Sequence, residues 1–193
     1  RVELSRRPIT GSLLSYAGAH DPITGNTWGG VVATGLSGRV GRPMGPVSTS
    51  LSASFAVLQG KNVQNNTRLQ LRAAADRDVW QGKYSTVNAG LALSYWSYGK
   101  DLSEYTWGHG GYYSPKNYLS LSLPIEWGGR HNKLTWLVRG ALSFSSSSSQ
   151  ASPYYPGSAA LQGQAQAQGV SPFFDGGRSS GLGRSLRSVV EYQ

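Results

Sequence analysis

The sequence contains no cysteine among its 193 residues, so neither a disulfide scaffold nor a thiolate metal site can form. Charged residues make up only 14%, well below the roughly 25% of an ordinary soluble domain. No apolar run approaches the about 18 residues that a transmembrane helix requires. The three histidines do not occur at a metal-binding spacing. We therefore expect no metal, no cofactor and no helical membrane span.

Acidic residues are also scarce, which leaves 18 lysines and arginines against 9 acidic residues and a net charge of +9. The cations are dispersed, and the longest basic cluster is Arg6-Arg7. A nucleic-acid-binding protein usually concentrates its cations on one face. We therefore expect no nucleic-acid partner and interpret the scattered cations, set among Ser, Gly and Asn, as the lining of a polar surface.

What the sequence does contain is a strong period of two. Between Val47 and Val57 the odd positions are mostly apolar, and the even positions are serine or alanine. Such alternation predicts a β-strand with one apolar and one polar face. The segment has the length of a transmembrane β-strand, about 9–11 residues, rather than the about 5–6 of an average soluble strand.

The same alternation recurs along the chain and predicts eight strands. They cover residues 1–7, 32–40, 47–57, 68–76, 87–96, 119–127, 134–144 and 183–193. The predicted fold class is therefore all-β, with an antiparallel transmembrane β-barrel as the architecture.

The predicted connections alternate in length. Long segments at 8–28, 99–117 and 146–181, with a medium one at 59–66, separate short turns at 41–46, 77–83 and 128–133. Outer-membrane barrels have long extracellular loops and short periplasmic turns. Within the last long segment, the serine run 145–149 and the Gln/Ala/Gly tract 159–169 are of low complexity, and we expect a mobile surface loop there.

The predicted inward residues are mostly small and would pack a closed eight-stranded barrel poorly. They suit the wall of a wider, water-filled barrel. We therefore expect residues 1–193 to be one segment of a single, larger barrel domain, with further strands before Arg1 and after Gln193.

Several stretches are specific enough to carry a resemblance. They are Ser12-Leu13-Leu14-Ser15-Tyr16-Ala17-Gly18, Gly25-Asn26-Thr27-Trp28-Gly29-Gly30, Gly60-Lys61-Asn62-Val63 and Gly110-Gly111-Tyr112-Tyr113-Ser114-Pro115. In this order, over about residues 6–127, the chain resembles the C-terminal region of the bacterial cellulose synthase operon protein C family.

The resemblance implies a function. Members of that family join a periplasmic array of helical repeats to an outer-membrane barrel of about sixteen strands, the exit channel for a β-1,4-glucan. It implies a passive, non-enzymatic conduit in the bacterial outer membrane. The implied partners are the glucan chain, outer-membrane lipid, and periplasmic cellulose synthase components reached through repeats that this chain lacks.

Aromatic residues are the first candidates for a substrate path. Trp96 and Tyr98 have inward parity near a long loop and could stack on sugar rings. Trp107, Tyr112 and Tyr113 lie in the loop that follows and could line the exit or fold inward as a gate. The alternatives are that the first two only brace the loop and that the other three form its packed core.

Charged residues of inward parity are the second set of candidates. Arg68, Arg72, Glu126 and Arg139 could set the field of the wall or bind glucan hydroxyls, and cross-strand ion pairing is the alternative. Two other functions stay open, an outer-membrane hydrolase barrel and a soluble carbohydrate-binding β-sandwich. The first would need a histidine coupled to Ser or Asp at the outer rim.

Overall fold

A computed structural model describes residues 1–22, 25–169 and 171–192, so the predictions for Ile23, Thr24, Val170 and Gln193 lie outside the described residues. Strands account for most of the described chain. The elements, in chain order, are β1 (Val2–Pro8), α1 (Leu13–Ala17), β2 (Ala19–His20), β3 (Thr27–Met44), β4 (Val47–Lys61), β5 (Val63–Gln81), β6 (Ser85–Tyr98), β7 (Asn117–His131), β8 (Leu134–Ser148), β9 (Ser152–Pro153), α2 (Ala159–Ala167), β10 (Phe173–Phe174) and β11 (Arg178–Tyr192).

Eight long strands form one antiparallel sheet in the order β1-β3-β4-β5-β6-β7-β8-β11. Consecutive long strands are therefore neighbours throughout, and the predicted antiparallel all-β fold of eight long strands is confirmed. The short β2 pairs with β3, and β9 and β10 form a separate two-stranded sheet. Strands β1 and β11 are the two ends of the order and do not pair with each other in the described part of the chain.

The connection between β4 and β5 differs from its prediction. Residues 59–66 were expected to form a loop of medium length, but β4 continues to Lys61 and β5 begins at Val63. Lys61 and Asn62 form the turn between the paired Gly60 and Val63, and Asn62 has a φ of 50°, a left-handed conformation that asparagine tolerates better than most residues. A register shift between Leu58 and Gly60 breaks the period of two, which is why the sequence pattern ended too early there.

The strand register brings the apolar positions of all the long strands to one face of the sheet and the small or polar positions to the other face. One row runs through Val40, Leu51, Ala73, Leu93, Leu121, Phe144 and Leu182. The next row, on the opposite face, runs through Gly41, Ser50, Ala74, Ala92, Ser122, Ser143 and Gly183. We call these two sides the apolar face and the polar face.

The apolar face is open. Leu51 is 55% exposed and Phe144 is 53% exposed, although both lie in the middle of long strands. The buried hydrophobic cluster instead lies on the polar face, where the long connections join the strands. Its members are Val31, Ala33, Ala56, Leu58, Val63, Tyr98, Leu102 and Tyr112.

Three long connections meet at one end of the sheet, and we call their described residues, within 9–26, 99–116 and 149–177, the cap. Leu102 and Tyr112 of the cap pack against Ala56, Leu58 and Tyr98 on the strands. The turns after β3, β5 and β7 lie at the opposite end, whereas the tight turn between β4 and β5 lies at the same end as the cap. The sheet therefore has a cap end and a turn end, and the cap folds over its polar face.

The low-complexity tracts differ from their prediction. The serine run belongs to β8 as far as Ser148, where it pairs with β11. Residues Ala159–Ala167 form α2, and Ser158 Oγ caps it by accepting a hydrogen bond from the Leu161 amide at 3.3 Å. Alanine and glutamine favour helix, which outweighs the low complexity of the tract. Neither described helix is long and apolar enough to span a membrane.

Candidate functional site

Trp96 lies on the polar face of β6, in one row with Gln70 of β5 and Tyr118 of β7. The Trp96 and Tyr118 ring centroids are 5.1 Å apart, with an interplanar angle of 30°. Tyr113 of the cap contacts Tyr118 edge-on, with centroids 6.5 Å apart, and is 56% exposed. Two of the predicted residues, Trp96 and Tyr113, thus come together around Tyr118.

Tyr118 was missed from the sequence because it stands at the start of its strand, before the clear alternation begins. Its parity is nevertheless readable, since it precedes Leu119 of the apolar face and must therefore point to the polar face. Cross-strand pairing with Trp96 is the additional information that only the register provides.

Tyr98 and Tyr112 form a second group, and their placement corrects the prediction. Tyr98 is 6% exposed and Tyr112 is 3% exposed, and their ring centroids lie 6.1 Å apart inside the buried cluster. Neither ring offers a face to a ligand. The alternatives stated above fit these positions, since Tyr98 braces the loop from its strand and Tyr112 belongs to the packed core of the loop.

Asn66 of β5 anchors this group and was also missed. Its buried amide donates to the Lys100 carbonyl at 2.8 Å and to the Tyr112 hydroxyl at 3.0 Å. Its carbonyl oxygen accepts from the Lys100 amide at 2.8 Å and from the Thr67 amide at 2.9 Å. All four bonds of the side chain are made, and three of them join the sheet to the cap. Burial raises the pKa of the Tyr112 hydroxyl well above its usual value.

Trp107 of the cap packs against the start of β3. Its ring lies 5.6 Å from that of Trp28, centroid to centroid. Nearby, the Thr106 hydroxyl donates to the Tyr154 carbonyl, which links the second and third connections of the cap. The prediction that Trp107 folds inward is consistent with this position, and its contacts are those of a packed loop.

His109 belongs to the same packed region. It is fully buried, its Nε2 lies 2.9 Å from the Pro153 carbonyl oxygen, and its ring contacts Phe174 edge-on. Burial lowers the pKa of the His109 imidazole below its usual value, which outweighs the opposing effects of Pro153, Glu104 and Asp101. The side chain therefore holds the cap together as a neutral ring.

A polar wall lies beside Trp96. Ser54 Oγ donates to Gln70 Oε1 at 3.2 Å, and an Arg72 guanidinium nitrogen donates to Ser94 Oγ at 3.1 Å. These four residues and Trp96 line a cavity of about 290 Å³. Arg72 is exposed and forms no ion pair with the described residues. The wall thus presents hydroxyl, amide and guanidinium groups.

Arg68 stands closer to the cap, directly across from Tyr98. Among the described residues it forms no ion pair, and its Nε is buried without a hydrogen-bond partner. Arg68 and Arg72 therefore carry uncompensated positive charge on the half of the polar face nearest the cap.

The turn end of the polar face has a different character. Glu126 and Arg139 are directly paired across β7 and β8, and their side chains form an ion pair. For Glu126 and Arg139, cross-strand ion pairing, which was stated above as the alternative, is what the structure shows. Asn88 donates to Asp76 at 3.3 Å and to Asp78 at 3.1 Å. A cavity of about 790 Å³ opens between these groups and β11.

The polar face as a whole is a surface of hydrogen-bonding groups with one aromatic platform. Its hydroxyls, amides and cations can bind a neutral, hydroxyl-rich ligand, and its rings can pack against apolar ring faces. Asp76, Asp78 and Glu126 lie at the turn end together with Arg187, while Arg68 and Arg72 lie nearer the cap end.

Comparison with known proteins identifies the family. The sequence profile described as "Cellulose synthase operon protein C C-terminus" matches residues 1–193. "Cellulose synthase 2 operon protein C" of Komagataeibacter xylinus is 38% identical over 194 residues, which cover 100% of this chain and 15% of that protein. "Cellulose synthase operon protein C" of Salmonella typhimurium is 38% identical over 192 residues, 96% of this chain and 16% of that protein.

A third relative, "Cellulose synthase operon protein C" of Pseudomonas fluorescens, is 31% identical over 100% of this chain and 15% of its own length. The chain therefore spans only a small part of the length of the curated relatives it matches. With the whole sequence matched by the profile, the chain belongs to the family of the C-terminal region of cellulose synthase operon protein C.

Proposed function

We propose that this sheet is part of the wall of a bacterial outer-membrane β-barrel through which a β-1,4-glucan passes passively. The observation that carries the proposal is the separation of the two faces in register. A contiguous apolar face stays exposed, while the opposite face carries hydroxyl, amide and charged groups.

The apolar face has the dimensions of a lipid-facing band. On β7 the apolar positions run from Leu119 to Trp127, eight residue steps, or about 27 Å at about 3.4 Å per residue. A tilt of about 40° reduces this to about 21 Å, close to the roughly 25 Å apolar band of outer-membrane barrels. An exposed apolar area of this extent marks a surface that another phase or partner covers, and lipid fits a band of constant height.

The polar face supports a conduit rather than a packed interior. One central row consists entirely of serine, alanine and glycine, which leave space between opposite walls. The unpaired outer edges of β1 and β11 would be costly in lipid, so closure requires strands outside this chain. A complete barrel of about sixteen strands, as the family resemblance implies, is part of the proposal.

The partners follow from the names of the relatives. Those names place the relatives in cellulose synthase operons, so cellulose is the glucan we propose as cargo. The bacterial outer membrane is the proposed location. Contacts with periplasmic cellulose synthase components belong, in this proposal, to parts of a longer protein beyond these residues.

The two other functions have less support. A soluble β-sandwich would bury the apolar face against a second sheet, and the described residues form no such sheet. A hydrolase would need an accessible histidine beside a nucleophile. His109 is buried and bound to a backbone carbonyl, and among the described hydrogen bonds none joins the exposed His20 or His131 to a Ser or Asp side chain. We therefore propose a conduit without enzymatic activity.

One cysteine experiment tests both the orientation of the sheet and the conduit. This chain has no cysteine, so single substitutions in the full-length parent protein create unique sites in this region. Ser122→Cys lies on the polar face and Leu121→Cys on the apolar face of the same strand. In outer membranes, a water-soluble maleimide is expected to label Ser122→Cys and not Leu121→Cys.

A bulky maleimide then tests transport in living cells. Modification of Ser122→Cys should lower the amount of secreted glucan, and the same treatment should leave Leu121→Cys cells unchanged. Equal or reversed labelling of the two sites would contradict the proposed orientation. Undiminished secretion after complete modification of Ser122→Cys would contradict the conduit.

A further inference from the structure

The polar face contains one row that differs from all the others. Across five neighbouring strands, Ser37, Ser54, Gln70, Trp96 and Tyr118 are paired in register at a single height. Side chains paired in this way point to the same side of the sheet, with about 4.8 Å between strands. Three of the five side chains are polar and the other two are large aromatic rings, and we call these two parts of the row the polar half and the aromatic half.

The aromatic half is an offset-stacked pair of rings, and this pair is the platform. The Trp96 and Tyr118 ring centroids are 5.1 Å apart and their planes are inclined by 30°, so the two rings overlap in part and hold one another in place. Tyr113 supports Tyr118 from the cap, edge to face. Both platform rings are half-buried and keep part of their surface open, in contrast to the enclosed ring of Tyr98.

The polar half is fixed in position. The bond from Ser54 to Gln70 orients the amide directly across from Trp96, and the bond from Arg72 to Ser94 holds the guanidinium one row nearer the turn end. Inward side chains of successive rows are about 7 Å apart along a strand. The donors therefore flank the platform, and the cavity of about 290 Å³ lies between them and Trp96.

We propose that the Trp96–Tyr118 platform, with Gln70 and Arg72, is a binding subsite for a pyranose ring of a β-linked glucan. A pyranose in an all-equatorial chain has apolar C–H faces and a rim of hydroxyls. The faces pack on the rings, and the hydroxyls accept from Arg72 and exchange hydrogen bonds with Gln70. The subsite rests on the proposed function, since the polar face meets glucan only if it lines the conduit.

The subsite is tested by binding to the full-length parent protein in detergent, measured by calorimetry with cellohexaose and, for comparison, maltohexaose. Trp96→Ala should weaken cellohexaose binding about tenfold, and Trp96→Phe should weaken it less, because a flat apolar ring remains. Arg72→Met should weaken binding about threefold without altering the platform. Trp127→Ala, which removes an indole from the apolar face, is the matched control and should bind as the parent does.

Each outcome of the binding experiment either supports or overturns the proposed subsite. Unchanged affinity in Trp96→Ala, equal losses in Trp96→Ala and Trp127→Ala, or no cellohexaose binding by the parent would overturn the subsite. If Trp96→Ala fails to fold, Tyr118→Ala and Arg72→Met take its place, and both must bind cellohexaose more weakly than the parent protein and the Trp127→Ala control do. The cysteine experiment with Ser122→Cys and Leu121→Cys tests the conduit independently. A negative result in the binding experiment would therefore refute the subsite without refuting the conduit.

Discussion

Asn66 offers the sharpest test of how the cap is attached to the sheet. Asn66→Ala removes four hydrogen bonds, three of which join β5 to Lys100 and Tyr112 of the cap. At about 1 kcal/mol of net contribution for each bond, opening of the cap should become easier by about 3 kcal/mol. That free energy corresponds to about a 150-fold larger population of the open cap.

Hydrogen exchange followed by mass spectrometry measures this opening. In the cap, the Gly110 and Gly111 amides both donate to the Leu102 carbonyl, at 3.1 Å, and should be protected until the cap opens. Peptides covering residues 99–116 should exchange about 150-fold faster in Asn66→Ala, while peptides from the middle of β7 and β8 stay unchanged.

The matched control is Asn65→Ala, which changes the exposed neighbouring asparagine and should leave exchange in the cap unaltered. Equal exchange in Asn66→Ala and Asn65→Ala would refute the reasoning. Faster exchange throughout the sheet would also refute it, because Asn66 would then support the whole fold and not the attachment of the cap.

Three further predictions concern other contacts. Gly29→Ala should destabilise the packing of α1 by at least about 2 kcal/mol, because the φ of Gly29 is +105° and a Cβ there would lie 2.3 Å from the Leu14 carbonyl oxygen. The control is Gly30→Ala, since the φ of Gly30 is +60° but a Cβ there would meet nothing within 4 Å. Thermal unfolding should show a smaller loss of stability for Gly30→Ala than for Gly29→Ala. Glu126→Gln should lower stability by less than about 1 kcal/mol, because the ion pair with Arg139 is half-exposed, and a larger loss would show that the pair is more shielded than its exposure indicates. Burial lowers the pKa of His109 in the folded state, so below the ordinary value of 6.5 the unfolded cap binds more protons than the folded cap. Protection of residues 99–116 from hydrogen exchange, corrected for intrinsic exchange, should therefore be complete above pH 6.5 and decline as the pH falls below it. His109→Gln should remove that decline, and a decline that persists in this variant would show that His109 is not its cause.

The strands could be predicted because their signal is local. A period of two fixes which side chains share a face, so eight strands and both faces could be predicted from the sequence, including the position of Trp96 and Tyr98 on the polar face. The turn at Asn62 could not be predicted, because a register shift interrupts the period just before it.

The candidate site was harder because it depends on contacts between distant segments. Parity gave Tyr98 the correct face but not its burial, since the residues that cover it, Leu102 and Tyr112, come from a loop whose path the pattern does not define. The pairing of Trp96 with Tyr118 joins residues 22 positions apart and depends on strand register, which becomes visible only in three dimensions.

The position of the buried cluster on the polar face has a consequence for folding order. Asn66 and its cap partner Lys100 are separated by 34 residues, and β6 must already be paired with β5 before they can meet. A long chain segment has to be closed before those contacts give any stabilisation. We therefore expect the strands to align first and the cap to pack onto them last, so in a refolding experiment Tyr112 should become protected from solvent only after the central strands are fully paired.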